Sequence, residues 1–597
     1  MRVYSLLTKI ISVISVMVAG FFFMASHASA ATLTVNSKAD STADDGSCTL
    51  REAITAANTD TASGALSGEY IAGSGTDTIN FNISGTADFT NGGQNGYTIT
   101  PTSTLLVTQT VIINGYTQPG SSANTAPAPQ PINSILLIEL DQSSSGGIQL
   151  NADNIVVRGL VMNSSSGTGV LAGGDNIEIK GNYIGTNPQG TSAKANTLNG
   201  INASVSGFDD PDNLIIGGAS PVDRNIVSGN TSAGITPNIG DDNWVIKGNY
   251  IGVGRDGMTA IPNSSPNSPG ALSLDNSTGH IIGGTEAGAT NVISGNGSFG
   301  LFPDNISNVL IQGNIIGPDW QGNPIAGASQ QGGIGLPPIA GPIYNTLIGG
   351  VSPSAGNHIA YNQGPGIAVL NVAFNGTPLF TTYDVAILGN SIHDNTPTGA
   401  SFLSASGLGI EHMLADVGTV TFTNLGPNLN DSTDSDTGPN NYMNFPVINS
   451  ATQTGTNLTV NFDLDAADST NGEYRVEFFA NDVTDPSGYG EGQTYLGATT
   501  VANGLAQEAS ITLANGMDLT GRSITATTTA ISNITTSGYG STSEFSGPIT
   551  ALVTATSTGF TSDQLASTGD NLWLWLTGAL SLIGVGVYVA RFVYRWN

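Results

Sequence analysis

Cysteine is all but missing from this chain. Cys48 stands alone, so no intrachain disulfide framework holds the fold. Charge is almost as scarce: only 10% of residues are Asp, Glu, Lys or Arg, and 14 Lys+Arg face 44 Asp+Glu for a formal charge of −30. Residues 31–569 keep 10 of those cations and 43 of the anions, a net of −33. Such a surface repels nucleic acid and anionic lipid, and leaves cations and neutral or basic molecules as its natural partners. Histidine is sparse too, and His280, His358, His393 and His412 fall in no His-x-x-x-His or Cys-x-x-Cys setting, so the pattern implies no zinc site. No Gly-x-Ser-x-Gly elbow and no phosphate-binding glycine loop with its lysine occurs. Within the repeat no stretch of about 10–15 residues sustains a helical period, which excludes helical repeats.

Glycine, in contrast, is abundant at 79 residues, and it recurs in phrases. Aliphatics followed by Gly-Asn and then Ile-Gly appear at 177–185, 244–252 and 309–317. Gly with an aliphatic residue opens further units at Gly147, Gly169, Gly200, Gly234, Gly300, Gly333, Gly366 and Gly409. These phrases predict an all-β solenoid over 77–425, a parallel β-helix with two or three short strands per coil. The crossover rule makes it right-handed. Asn182, Asn230, Asn249, Asn296, Asn314 and Asn390 are expected at tight turns, with amides that ladder from coil to coil.

The ends carry addresses. Residues 1–30 have Arg2 and Lys9 ahead of an apolar core and Ala28-Ser29-Ala30, which predicts a secretory signal peptide. Residues 572–589 are apolar and uncharged and precede Arg591 and Arg595, which predicts a transmembrane helix with the ectodomain outside.

Between the signal and the first coils, 31–76 holds one amphipathic helix: Thr49 and Glu52 form a capping box, and Leu50, Ala53, Ile54 and Ala57 share a face. A solenoid's first coil needs covering, so this helix is read as a cap. The run Cys48-Thr49-Leu50-Arg51-Glu52-Ala53 resembles the Cys-Ser-Leu-Arg-Glu-Ala motif that opens many exported bacterial right-handed parallel β-helix proteins, with Thr49 in place of Ser. That resemblance implies fold and export, and no defined activity.

Beyond the repeat, 426–440 is an acidic hinge in which Asp431, Asp434, Asp436 and Asn440 offer the hard oxygens that calcium prefers. Residues 441–548 show separated strands, which predicts an immunoglobulin-like β-sandwich with Tyr474, Val476 and Phe478 inward and Arg475 and Glu477 in water. A Ser/Thr linker, 549–564, leads to Leu565-Ala566-Ser567-Thr568-Gly569. This pentapeptide, with the apolar span and basic tail, resembles the cell-wall sorting signals of Gram-positive-type bacteria, although Ala566 replaces the usual Pro. The resemblance implies a sortase-like transpeptidase as partner.

For chemistry, the obvious carboxylates of a polysaccharide hydrolase or lyase are acidic turn residues. Asp153, Asp175, Asp212 and Asp242 each precede Asn at one point of the repeat, which marks them as turn devices. Only Asp209, Asp210 and Asp241 escape that reading. Of the basic residues a lyase would need, Lys180, Lys247 and Arg158 share a repeat position, and Lys194, Arg224 and Arg255 complete the set. The reading that follows is a surface adhesin or glycan-contacting module without catalysis, with a β-helix polysaccharide hydrolase or lyase as the alternative. Long turns at 186–198, 253–269 and 318–331 follow equivalent strands and are expected to protrude on one face as the binding surface.

Overall fold

The computed structural model describes residues 30–61, 75–203, 211–237, 240–264, 270–397, 407–419, 421–423, 425–467 and 469–554. The signal peptide, the sorting pentapeptide and the apolar span at 572–589 lie outside these residues. Among the described residues no helix is long and apolar enough to cross a membrane.

Most coils contribute one short strand to each of three mainly parallel faces, and those at 275–283 and 304–312 give two to the first. The first is a 13-stranded sheet that begins with Thr32–Val35 and Asp77–Phe81 and reaches Thr382–Leu388. The second has 11 strands and ends on Ser391–His393. The third starts as Leu105–Val107, Ile148–Leu150, Val170–Ala172, Ile201–Asn202 and Ile235–Thr236. Bridges through Leu272 carry it on to Phe299–Leu301 and finally Ile410–Asp416. Parallel register stacks like residues, as in Val157, Ile179, Ile216, Ile246, Ile282 and Ile311, all at 0% exposure. The expected parallel β-helix is present, with three strands in most coils.

Two buried amide ladders run the length of the corners. One passes through Asn182, Asn225, Asn249, Asn291, Asn314, Asn357 and Asn390, each side chain bonding to the next. The other passes through Asn196, Asn230, Asn263, Asn296, Gln330, Asn362 and Asn395 at 2.8–3.2 Å. Each rung also meets a backbone carbonyl or N–H that the turn leaves unpaired, as Asn291 Nδ2 does at Ile246 O. In a dry core those groups need partners. Glycine sits beside the ladder because nothing larger fits: a Cβ on Gly200 would lie 2.6 Å from Gly234 O and 2.8 Å from Asn230 Nδ2. In the Gly-Asn pairs only Gly takes left-handed backbone, with φ of 65° at Gly181 and 71° at Gly248, while the Asn turns inward.

At one end the helix Leu50–Thr59 lies over the core, with both halves of the Thr49–Glu52 capping box formed. At the other end sits a sandwich of two mostly antiparallel sheets, of four and five strands, running from Val447–Thr454 to Leu552–Thr554. Tyr474, Val476 and Phe478 fill its interior as expected. Arg475 and Glu477 do not face water. Glu477 is fully buried and accepts N–H from Gly389 of the β-helix at 2.7 Å while pairing with Arg475 at 2.8 Å.

Two more sandwich carboxylates do the same. Glu491 accepts from Asp394 N and Asn395 N at 2.7 and 3.0 Å, and Glu544 from His412 N and Asn428 N at 2.7 and 2.6 Å. Within the ladder, Asn362 N donates to Asn395 Oδ1, so Glu491 stands where a following coil would offer its amide oxygen. The sandwich is therefore docked as a lid, and the segment read as a hinge is a fastened corner.

Candidate functional site

The Asp-Asn steps build the most regular outer surface. Asn154, Asn176, Asn213 and Asn243 adopt left-handed backbone with φ of 55–61°, which Asn tolerates through its short polar side chain. Each preceding Asp reaches to the next coil: Asp153 Oδ1 accepts from Asp175 N, Asp175 from Asp212 N, Asp212 from Asp242 N, and Asp242 from Thr278 N, at 2.7–2.9 Å. These aspartates are scaffold, as expected, although they bond to the neighbouring coil and not to their own turn. The four Asn side chains remain exposed. Beside them Val156, Glu178, Ile215 and Val245 stand in register, and the two rows line an open groove of about 760 Å³. Amides beside a row that is aliphatic except for Glu178 thus recur every ~4.8 Å along the groove.

One edge of this groove deepens into a cleft of about 330 Å³, where Asn114, Tyr116, Val156, Arg158, Glu178, Lys180, Val222 and Asp223 converge. Burial pushes the Asp223 carboxyl up against the pull of Lys180. Tyr116 donates to Gly181 O at 2.9 Å, and burial raises its hydroxyl pKa further. Lys180 is held by Glu178 at 2.7 Å.

The other cations in the coils are engaged within the protein. Lys194 bridges Glu139 and Asp141, and Lys247 pairs with Glu286. Arg224, 1% exposed, donates to Gly248 O, Ala126 O and Gln130 O and lies 4.8 Å over the Tyr250 ring. Arg255 donates to Ile132 O and Ser134 O. The shared position of Arg158 and Lys180 is confirmed by strand register.

The long turns do lie on one face, but they do not protrude freely. Arg255 N donates to Gly190 O and Trp320 N to Gly257 O, so each turn rests on the next. Tyr183, Tyr250, Val253, Ile325 and Trp320 form a second apolar core between turns and sheet. Backbone hydrogen bonding within each turn, as between Asn187 and Ser192 and between Gly254 and Thr259, folds them flat.

Of the carboxylates singled out by sequence, Asp209 and Asp210 lie outside the described residues, and Asp241 is fully buried. Asp431, Asp434 and Asp436 do converge, each with an oxygen within 4.8 Å of the others. Asn440 does not join them. It is buried, and its amide binds Val385 N, Val385 O and Thr542 O, pinning β-helix to sandwich. A buried histidine, His412, sits beside that pin, its pKa lowered by burial to about 3.

The sequence reading missed Asn225 and Asn291, which no glycine precedes, Asn357 despite the Gly356 before it, and Asn196, Asn263, Gln330, Asn362 and Asn395 of the second ladder. It also missed Glu491 and Glu544, whose sequence neighbours give no periodic signal.

No protein-family model matches the chain, and no curated protein does. Among solved structures it is similar to the Dettilon tailspike protein, at 12% identity over 79% of this chain and 88% of that one, with a TM-score of 0.33. It is also similar to tailspike protein 2 from Escherichia coli O157:H7 bacteriophage CAB120, at 13% identity over 75% of this chain and 64% of that one, with a TM-score of 0.26.

Proposed function

We propose that this chain is an exported, envelope-anchored surface protein whose right-handed β-helix contacts glycans and acts as an adhesin. The supporting observation is the exposed ladder of Asn154, Asn176, Asn213 and Asn243 beside a row that is aliphatic except for Glu178, a mixture of amide and C–H surface that suits a sugar chain. The signal peptide, the apolar span and the sorting pentapeptide Leu565 to Gly569 complete the reading, with the sandwich as an immunoglobulin-like end module. Calcium at Asp431, Asp434 and Asp436 would brace the corner where sandwich and β-helix meet.

The test is retention of the purified ectodomain on a panel of insoluble polysaccharides. Replacing all four groove residues with Gly removes the amides while keeping the left-handed turns, so it should abolish retention of a folded protein. Undiminished retention would sink the groove reading.

One observation favours catalysis as a second reading. Asp275 and Asp304 face each other in register from adjacent coils, and burial pushes Asp275 up to about 6, the range of a general acid. Asp304 is half engaged, accepting N–H from Ile339 and Ala340. A reducing-sugar and unsaturated-product screen that finds turnover lost in Asp275→Asn would establish it, and no turnover in the wild type would exclude it for the substrates tried.

A further inference from the structure

The cleft beside the groove has a chemistry of its own. Arg158 is the one arginine or lysine in the groove and its flanking coils whose side chain makes no ion pair or hydrogen bond to any described residue. It is also exposed, in a protein whose formal charge is −30. A guanidinium presents a planar fork of donors matched to a carboxylate. Its neighbours supply the rest of a site: the Tyr116 ring as a wall, Asp223 and Glu178 as hydroxyl acceptors, and Asn114, which stands in register with Arg158. Asn114 also lines the cleft, and its Oδ1 has no hydrogen-bond donor among the described residues. The volume of about 330 Å³ is enough for a sugar ring.

We propose that this cleft binds one acidic monosaccharide unit of the uronic type, its carboxylate on Arg158 and its hydroxyls on Asp223, Glu178 and Asn114. The inference rests on the glycan-contacting reading of the groove and adds to it a preference for a charged residue carried on or within the bound chain. A long polyanion does not fit, because the surrounding acidic surface repels it beyond the reach of one arginine.

Methyl glucuronide and its neutral counterpart, methyl glucoside, are the probes, titrated against the intact ectodomain by ligand-observed NMR. The wild type should bind the glucuronide about tenfold or more tightly than the glucoside. Arg158→Gln should bring that ratio to about 1, and Arg158→Lys, which keeps the charge and loses the fork, should restore only part of it. A wild-type ratio near 1, or an unchanged ratio in Arg158→Gln, overturns the acidic-sugar site. Neither outcome touches the groove reading, which is scored separately by polysaccharide retention with the four Asn→Gly changes. Failure of that retention test with the glucuronide ratio intact would overturn the groove and leave the cleft.

Discussion

The β-helix and the joint at its C-terminal end solve one problem with different chemistry. Inside the rod, each coil's orphan N–H and C=O groups meet a neutral amide from the next coil, from Asn182 through to Asn390 and from Asn196 through to Asn395. Where the coils stop, Glu491 of the sandwich takes the acceptor position of a ladder amide, Glu477 and Glu544 accept further N–H groups, and Asn440 supplies one more amide at Val385. A neutral rung is indifferent to pH. A carboxylate is not, because losing its proton places a charge where water is scarce: Glu477 and Glu544 are buried, and Glu491 is partly exposed. The rod is thus built for permanence and the joint for dependence on conditions.

The largest expected effect breaks the rod. Asn291→Leu strands three hydrogen-bond partners, Asn249 N, Asn314 Oδ1 and Ile246 O, and should lower stability by about 3–4 kcal/mol in denaturant melts. A loss below about 1 kcal/mol would mean that the ladder is ornamental. Next, Gly200→Ala drives a methyl group into Gly234 O and Val227 and should destabilise by about 2–3 kcal/mol, whereas the same change at Gly146, whose nearest contact would be 3.3 Å, should be far milder. At the joint, Glu491→Leu orphans two N–H groups at the rod's end and should remove about 2 kcal/mol, read as earlier melting of the sandwich contacts with the rod intact. Smallest of all, Lys247→Ala breaks a pair with a half-exposed Glu286 and should change stability by less than about 1 kcal/mol.

The contrast between rod and joint also separates what the sequence displays from what it conceals. Repetition is legible: Gly-Asn, Ile-Gly and Asp-Asn recur because each coil faces the same steric and hydrogen-bonding demands, and the fold followed from them. Part of each ladder was hidden, since Asn225 and Asn291 in one and Asn196, Asn263, Asn362 and Asn395 in the other serve their corners with no glycine before them. The joint was illegible because it occurs once. Alternation along 473–481 places Glu477 opposite Val476 and Phe478, and nothing local tells whether that second face meets water or another domain. The turns show the same limit: their spacing placed them on one face, while their packing into a second core depends on contacts such as Trp320 with Gly257, which are distant in sequence. At the candidate site, the scaffold role of Asp153 and Asp175 was readable from repetition, but that Arg158 lacks an ion-paired or hydrogen-bonded partner among the described residues emerged only once the partners of the other cations were known.

The measurement closest to the central claim compares amide exchange in rod and joint as pH changes. Burial, opposed by the N–H groups of Asn395 and Asp394 and reinforced by Asp485 and Asp394, pushes Glu491 up to about 8 from an ordinary 4.5. Burial and the facing Glu411 raise Glu544 well above its usual range, while the adjacent His412 stays neutral. A raised carboxyl binds its proton more tightly in the docked state, so its contribution is complete below about 4.5 and is lost as pH climbs toward about 8. Protection factors at the N–H groups of Asp394, Asn395, His412 and Asn428 should therefore fall with pH across that interval, by up to about tenfold per unit for each carboxyl that ionises on opening. Those at Asn182, Asn249 and Asn314 should stay level, and the double change Glu491→Gln with Glu544→Gln should flatten the joint's profile. Equal pH dependence in rod and joint, or a joint profile unmoved by the two Gln substitutions, would contradict the account.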